Sequence, residues 1–264
     1  MSISNQADQA GINWQTTPAA IWRQTTEKLR PVHNIDPIGF SQLLGIDTQV
    51  NAIKKNTEKF LKDLPANNAL LWGSRGTGKS SIIKALLNEY QDQGLRVVEV
   101  DKSDLIYLPE IVDFIRNQPF HFIIYCDDLS FDEGESTYKA LKSVMEGSIE
   151  LPPQNVLIYA TSNRRHLLPE YMEDNDQSRV VKTEIHHGEA VEEKISLSDR
   201  FGLWLSFYPI NQAEYLEMID ALFPATKDAQ RTSLHTEAIR FALAKGGRSG
   251  RAAKQFYNAY AGEF

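Results

Sequence analysis

The chain has 264 residues, of which 42% are hydrophobic and 24% charged, with a formal net charge of −7 and one cysteine. That length and apolar content can bury a core in one domain, or in one domain with a small appendage, while the acidic balance argues against broad phosphate-backbone binding, which needs Lys and Arg gathered on a face. No apolar run is long enough to span a bilayer, the polar start MSISNQADQAG lacks a signal-peptide pattern, and a single cysteine allows no internal disulfide, so a reducing cytoplasm is the expected setting.

Residues 1–40 contain Pro18, Pro31 and Pro37 with scattered Trp14, Trp22 and Phe40. They read as an N-terminal arm, a tail or a packing segment, with a short helix over 19–29. From Ile46 the apolar spacing turns helical, with Ile46, Val50, Ile53, Phe60 and Leu61 near one stripe and Pro65 as its stop. Residues 69–72 (ALLW) form a short buried strand, 78–93 a helix closed by Gly94, and 95–100 (LRVVEV) a second strand. A helix follows over 108–117, with Pro109 in its first turn, then the strand 121–126 (HFIIYC), then a helix over 137–146 stopped at Gly147. The fourth strand is 156–160 (VLIYA) and the fifth 203–208 (LWLSFY).

Apolar strands alternating with helices predict an α/β fold with a parallel sheet covered on both faces. The segments 211–223, 229–244 and 249–260 read as helices with no strand among them, so a small C-terminal helical subdomain is expected after about residue 210. Residues 171–198 stand out as a polar, charge-rich insertion between the fourth and fifth strands, of a length that is usually functional or mobile. The predicted organisation is therefore an arm over 1–40, a core over 41–209 and a helical unit over 210–264.

The sharpest signal is GSRGTGKSS: Gly73, Ser74, Arg75, Gly76, Thr77, Gly78, Lys79, Ser80 and Ser81. It matches G-x-x-x-x-G-K-[ST], with Gly76 as an extra glycine, and it lies between a strand and a helix. Glycines let the backbone curl so that successive N–H groups point at phosphate oxygens, and the helix start adds its positive end. Lys79 can reach the β- and γ-phosphates, and the Ser80 hydroxyl can ligate Mg²⁺. Downstream, HFIIYC delivers Asp127 and Asp128 to the C-terminal end of its strand, where ligands bind in open α/β sheets. Asp127 is placed to hold Mg²⁺ through water, and Asp128 to orient or deprotonate an attacking water. The alternative is a solvated acidic loop, since Asp132, Glu133 and Glu135 follow closely. His186 and His187 lack a third ligand at usable spacing and read as solvated. Cys126 reads as a buried, inert thiol and Trp204 and Phe207 as core, while Arg164 and Arg165 need no role beyond the surface.

With these residues in view, the chain from about Ser41 to Phe264 resembles the AAA+ ATPases, and within them an uncharacterised bacterial family of ATP-binding proteins carried as a domain of unknown function. The resemblance implies a parallel five-stranded P-loop sheet of the AAA+ ASCE type, sandwiched by helices, with the C-terminal helices as a lid. Residues 42–47 (QLLGID), with Gly45 and Ile46, resemble the segment that lines the adenine pocket. Asn163, at the end of VLIYATSN, occupies the place of the sensor-1 polar residue. Arg200, in SLSDRFGLWLSFYP, resembles the arginine finger of replication initiators and branch-migration motors. Arg251, in GGRSGRAAKQF, resembles the sensor-2 arginine, with Arg248 as a competitor. One departure stands out: the family pattern at the carboxylate pair usually ends Asp-Glu, whereas this chain has Asp127-Asp128.

The resemblance implies ATP and Mg²⁺ as ligands, self-association in a ring or spiral with Arg200 acting in trans, and remodelling of a macromolecular partner by ATP hydrolysis. The acidic balance favours a protein partner over nucleic acid, with 1–40 and 171–198 as contact candidates. Two other readings stay open: a slowly hydrolysing or non-hydrolysing nucleotide switch, motivated by the shorter Asp128, and a small-molecule kinase with the late helices over an acceptor.

Overall fold

The computed structural model describes residues 11–131, 137–147, 151–165, 167 and 197–264. The chain opens with a hairpin, β1 (Ala19–Arg23) and β2 (Lys28–Pro31), then α1 (Asp47–Phe60), β3 (Ala69–Gly73), α2 (Lys79–Tyr90) and β4 (Leu95–Glu99). There follow α3 (Leu108–Ile115), β5 (His121–Cys126), α4 (Tyr138–Glu146), β6 (Val156–Ser162) and β7 (Leu203–Phe207), and last α5 (Gln212–Leu222), α6 (Asp228–Ala244) and α7 (Gly250–Tyr260).

The strands form one seven-stranded sheet in the order β2-β1-β4-β5-β6-β3-β7. Every pairing is parallel except the β1–β2 hairpin. The five predicted strands are all present as β3 to β7; the prediction of five is corrected to seven, because the N-terminal segment adds two. The helix expected over residues 19–29 is likewise overturned. Ala19 and Ala20 suggest helix locally, but β1 instead pairs parallel with the free edge of β4, Ala19 against Val97 and Ile21 against Glu99. Side chains then alternate between faces as a strand requires, with Ala20 and Trp22 entering the core on one face and Ala19 on the other. A short 3-10 turn and a left-handed Glu27 (φ 50) reverse the chain into β2.

Within the arm, the segment around Trp14 is packed against the sheet. Trp14 is buried with its ring edge-on to Phe122, at 4.9 Å between centroids. The buried Arg96 fastens it: Nε donates to the Trp14 carbonyl at 2.7 Å, and the guanidinium sits 4.1 Å from the Phe120 ring centroid.

The sheet is buried on both faces. Leu70, Val98, Ile124 and Ile158 pack with α3 and α4 on one side. Leu71, Val97, Ile123 and Leu205 pack with α1 and α2 on the other. These are successive or register-matched strand residues, which is why the strands read as continuous apolar runs. Helices α5 to α7 enclose a third core of their own, centred on Tyr215, Ile219, Leu234, Ala238 and Phe256. Asn211 starts α5 with a capping box: its Oδ1 accepts from the Glu214 N–H at 3.0 Å, and its own N–H donates to Glu214 Oε2 at 2.8 Å. Among the described residues, no helix is long and apolar enough to cross a membrane. The predicted insertion over 171–198 lies, but for its last two residues, outside the described residues.

Candidate functional site

Parallel strands bring β3, β5 and β6 to one edge with their C-terminal ends aligned, and the sequence-predicted residues follow from those ends. The glycine loop leaves β3 at Gly73. There the backbone runs so close to β7 that a β-carbon on Gly73 (φ +129) would lie 2.0 Å from the Phe207 carbonyl oxygen. The Ser74 N–H donates to that same carbonyl at 2.9 Å, so β7 anchors the start of the loop. The loop then enters α2 at Lys79, with its N-terminal amides free of side-chain caps.

Gly76, the extra glycine of the motif, has a physical reason. Its φ is +73, and a β-carbon there would approach Ser249 Cβ to 2.9 Å. The Gly250 N–H donates to the Gly76 carbonyl at 2.9 Å. The C-terminal helical unit thus rests its α7 N-terminus directly on the loop. Ser249 caps that helix, its Oγ accepting from the Ala252 N–H at 3.1 Å. Ile46 abuts the other side, its Cδ1 3.0 Å from where a Gly78 β-carbon would be, and Gly45 faces Glu214 of α5. The QLLGID segment therefore bridges the loop and the helical unit.

Lys79 is buried and stretches back across the loop. Its Nζ donates to the carbonyls of Gly73 (2.8 Å) and Ser74 (2.7 Å) and to Asn163 Oδ1 (3.3 Å). Burial lowers its pKa; Asp127 and Asp128 oppose that, and nearby Arg75 and Arg251 reinforce it. Thr77 closes the loop by donating to the Ser74 carbonyl at 2.8 Å.

Asp127 collects hydroxyls. Its Oδ1 accepts from Ser80 Oγ at 3.0 Å, from Tyr125 OH at 2.7 Å and from Thr161 Oγ1. Burial alone pushes this carboxyl up, but the donors from Thr161, Tyr125 and Ser80 outweigh it, and the pKa falls below the usual aspartate value. Thr161 also accepts from the Asp128 N–H at 2.9 Å, and Asp128 itself is left-handed at φ 51. That conformation turns the Asp128 carboxylate toward Asn163, whose Nδ2 donates to Asp128 Oδ1. One connected line results, from Ser80 through Asp127, Thr161, Asp128 and Asn163 to Lys79. Tyr125 and Thr161 went unread in the sequence. Both sit inside apolar strand runs, and the signal that could have found them is spacing, since Tyr125 shares the strand face of Asp127 two residues on.

The remaining predicted residues separate from this line. Arg200 lies before β7 and forms an ion pair with Glu146 at the end of α4. Arg251 is exposed in the first turn of α7, near enough to act on Lys79, whereas Arg248 is exposed before that helix. Arg165 lies with its guanidinium 5.5 Å from the Trp72 ring centroid. Cys126 is fully buried and its thiol is pushed up to about 12, by burial first and then by Asp101 and Asp127. Asp132, Glu133, Glu135, His186 and His187 lie outside the described residues, among which no group of three or more His, Cys, Asp or Glu could hold a metal. The donor set at the loop suits a cation held differently, by one hydroxyl, one carboxylate and solvent or phosphate oxygens, which is the manner of Mg²⁺.

A glycine loop at the end of a central parallel strand, with a carboxylate pair on a strand one place removed and a polar residue on the strand between them, defines a P-loop α/β fold. The chain belongs to the family described as "Protein of unknown function (DUF815)", whose model matches residues 15–264. No curated protein matches it in sequence. Among solved structures, it is similar to a RuvB variant from Thermotoga maritima with a TM-score of 0.49 and 12% identity, over 84% of this chain and 71% of that one. A second variant of that protein gives 0.49 and 12%, over 84% and 73%. The Thermotoga maritima "RuvB Holliday junction branch migration motor" gives 0.46 and 14%, over 84% and 71%.

Proposed function

We propose that this chain binds ATP with Mg²⁺ in the glycine loop and hydrolyses it, as an oligomer that remodels a macromolecular partner. The observation that carries the nucleotide reading is the hydrogen-bonded line from Ser80 to Lys79, which joins the candidate metal-holding, water-orienting and phosphate-binding side chains. Loop amides and the α2 N-terminus receive the phosphates. Lys79 exchanges its carbonyl partners for phosphate oxygens, and Ser80 with Asp127 would hold Mg²⁺, which neutralises charge on the β- and γ-phosphates when bound. Asn163 and Asp128 together orient the attacking water, and Asp128 accepts its proton. Gly45 and Ile46 border the nucleoside, and Arg251 reports the γ-phosphate to α5–α7, which act as a lid through the Gly76–Gly250 contact.

Arg200 supplies a planar cation to a neighbouring copy's γ-phosphate, where it exchanges Glu146 for phosphate on assembly. A protein partner suits the acidic chain better than nucleic acid does. The cytoplasm remains the expected setting. A second reading, a slow or non-hydrolysing switch, is favoured by one observation: the Asp128 carboxylate is short and already engaged by Asn163.

Steady-state ATP turnover, measured with oligomeric mass at several protein concentrations, tests these readings. The motor reading expects specific activity and mass to rise together, and Arg200→Ala to abolish turnover. ATP binding without turnover or assembly would overturn it in favour of the switch.

A further inference from the structure

Tyr125 is a residue that the reaction, as proposed above, does not itself require. It occupies the penultimate position of β5, after the apolar run Phe122–Ile124, and only 7% of its surface is exposed. A phenylalanine would fill that space equally well. What the hydroxyl adds is a bond to Asp127 Oδ1 at 2.7 Å.

That oxygen also accepts from Ser80 and Thr161. A carboxylate offers about four lone-pair positions, roughly two on each oxygen, so three hydroxyls crowd Oδ1 beyond that number. The donors come from three separate elements: α2, β5 and β6. Together they fix the plane of the carboxylate, which side-chain rotation would otherwise blur. Two consequences follow. The other oxygen, Oδ2, keeps its own lone-pair directions in which to receive a metal-bound water. The Ser80 hydroxyl, having committed its proton to Oδ1, keeps its lone pairs turned outward to a cation.

We infer that Tyr125 is a positioning residue for the divalent cation of the nucleotide site, acting through Asp127 and sharpening the preference for Mg²⁺ over Ca²⁺. The inference rests on the ATP–Mg²⁺ reading. Its selectivity follows from coordination: Mg²⁺ demands a near-ideal octahedron, while Ca²⁺ accepts a looser, variable shell. Loosening Asp127 therefore harms Mg²⁺ more. Tyr125 also packs in the core on the α2 side, so a purely structural role would affect both cations alike.

The test is a titration of mant-ATP fluorescence with MgCl₂ and, separately, with CaCl₂, for the parent chain and Tyr125→Phe. The inference expects about a tenfold rise in the half-saturating Mg²⁺ concentration, the usual weight of a hydrogen bond to a charged group, with Ca²⁺ shifting by less than about threefold. Metal-free mant-ATP binding should stay unchanged. A Mg²⁺ midpoint within about twofold of the parent overturns it, as does an equal shift for both cations. If Tyr125→Phe does not fold, Thr161→Val removes a second donor to the same oxygen and is judged by the same two midpoints. A parent chain that binds no mant-ATP removes the nucleotide reading and this inference together. A parent that binds it, with unmoved midpoints in the variant, removes this inference alone.

Discussion

Replacing Gly76 with alanine perturbs the point where the C-terminal helical unit meets the phosphate loop. Two effects add. A left-handed backbone costs a β-carbon-bearing residue about 1–2 kcal/mol, and Gly76 sits at φ +73. The new β-carbon would lie 2.9 Å from Ser249 Cβ and 3.0 Å from Ser249 Oγ, so the start of α7 has to move. That movement breaks the 2.9 Å bond from the Gly250 N–H to the Gly76 carbonyl, a further loss of about 1 kcal/mol. The sum is about 2–3 kcal/mol. Gly94→Ala is the matched control, since Gly94 is also left-handed at φ +95 but has nothing within 4 Å of its would-be β-carbon; it should lose only the backbone share, about 1–2 kcal/mol. In a chain of this size about 1 kcal/mol moves Tm by roughly 2–4 °C. Thermal melts should therefore place Gly76→Ala roughly 5–10 °C below the parent, with the control between them. Equal melting temperatures for the two variants would refute the close approach of α7 to the loop.

Three further outcomes are expected. Asn163→Ala should lower ATP turnover about 100-fold, the scale of losing one water-orienting or oxyanion-type contact, while leaving ATP affinity within a few-fold; a large loss of affinity with turnover spared would contradict its assigned role. Cys126, buried with its thiol raised to about 12, should resist a thiol reagent at pH 8 until the chain is unfolded, and rapid labelling of the native protein would contradict its burial. Asp127 has a lowered pKa in the fold, so its charge stabilises the protein above the ordinary aspartate value near 3.9, and that contribution is lost as pH falls through the lower folded value. The gap in urea midpoint between parent and Asp127→Asn should accordingly be larger at pH 7 than below about pH 4; a gap that stays constant would count against the three-hydroxyl arrangement.

The central sheet and the phosphate loop were legible because their causes are local. Strands buried on both faces show as unbroken apolar runs, and Gly73, Gly78, Lys79 and Ser80 stand at a spacing that backbone geometry imposes. The helical unit was legible from its periodicity and from caps such as Asn211 and Ser249. The N-terminal hairpin was not, because β1 owes its conformation to the edge of β4, nearly eighty residues along the chain, and its two alanines favour helix on their own. In the candidate site, Asp127 could be found from its place at a strand end, and Asn163 through the family resemblance. Tyr125 and Thr161 could not, since each is a polar tip on a residue that also suits a buried strand. The need for Gly76 appeared only when Ser249, far off in sequence, was brought against it.

The most direct test of the account is a calorimetric titration of the chain with ATP in the presence of Mg²⁺, set beside Lys79→Ala. Lys79 reaches both the loop carbonyls and Asn163, and a charged contact of this kind is worth about 10- to 100-fold in affinity. The account predicts saturable one-site binding by the parent and at least that loss in the variant. No heat of binding from the parent at millimolar ATP, or equal affinity in the two proteins, would contradict it.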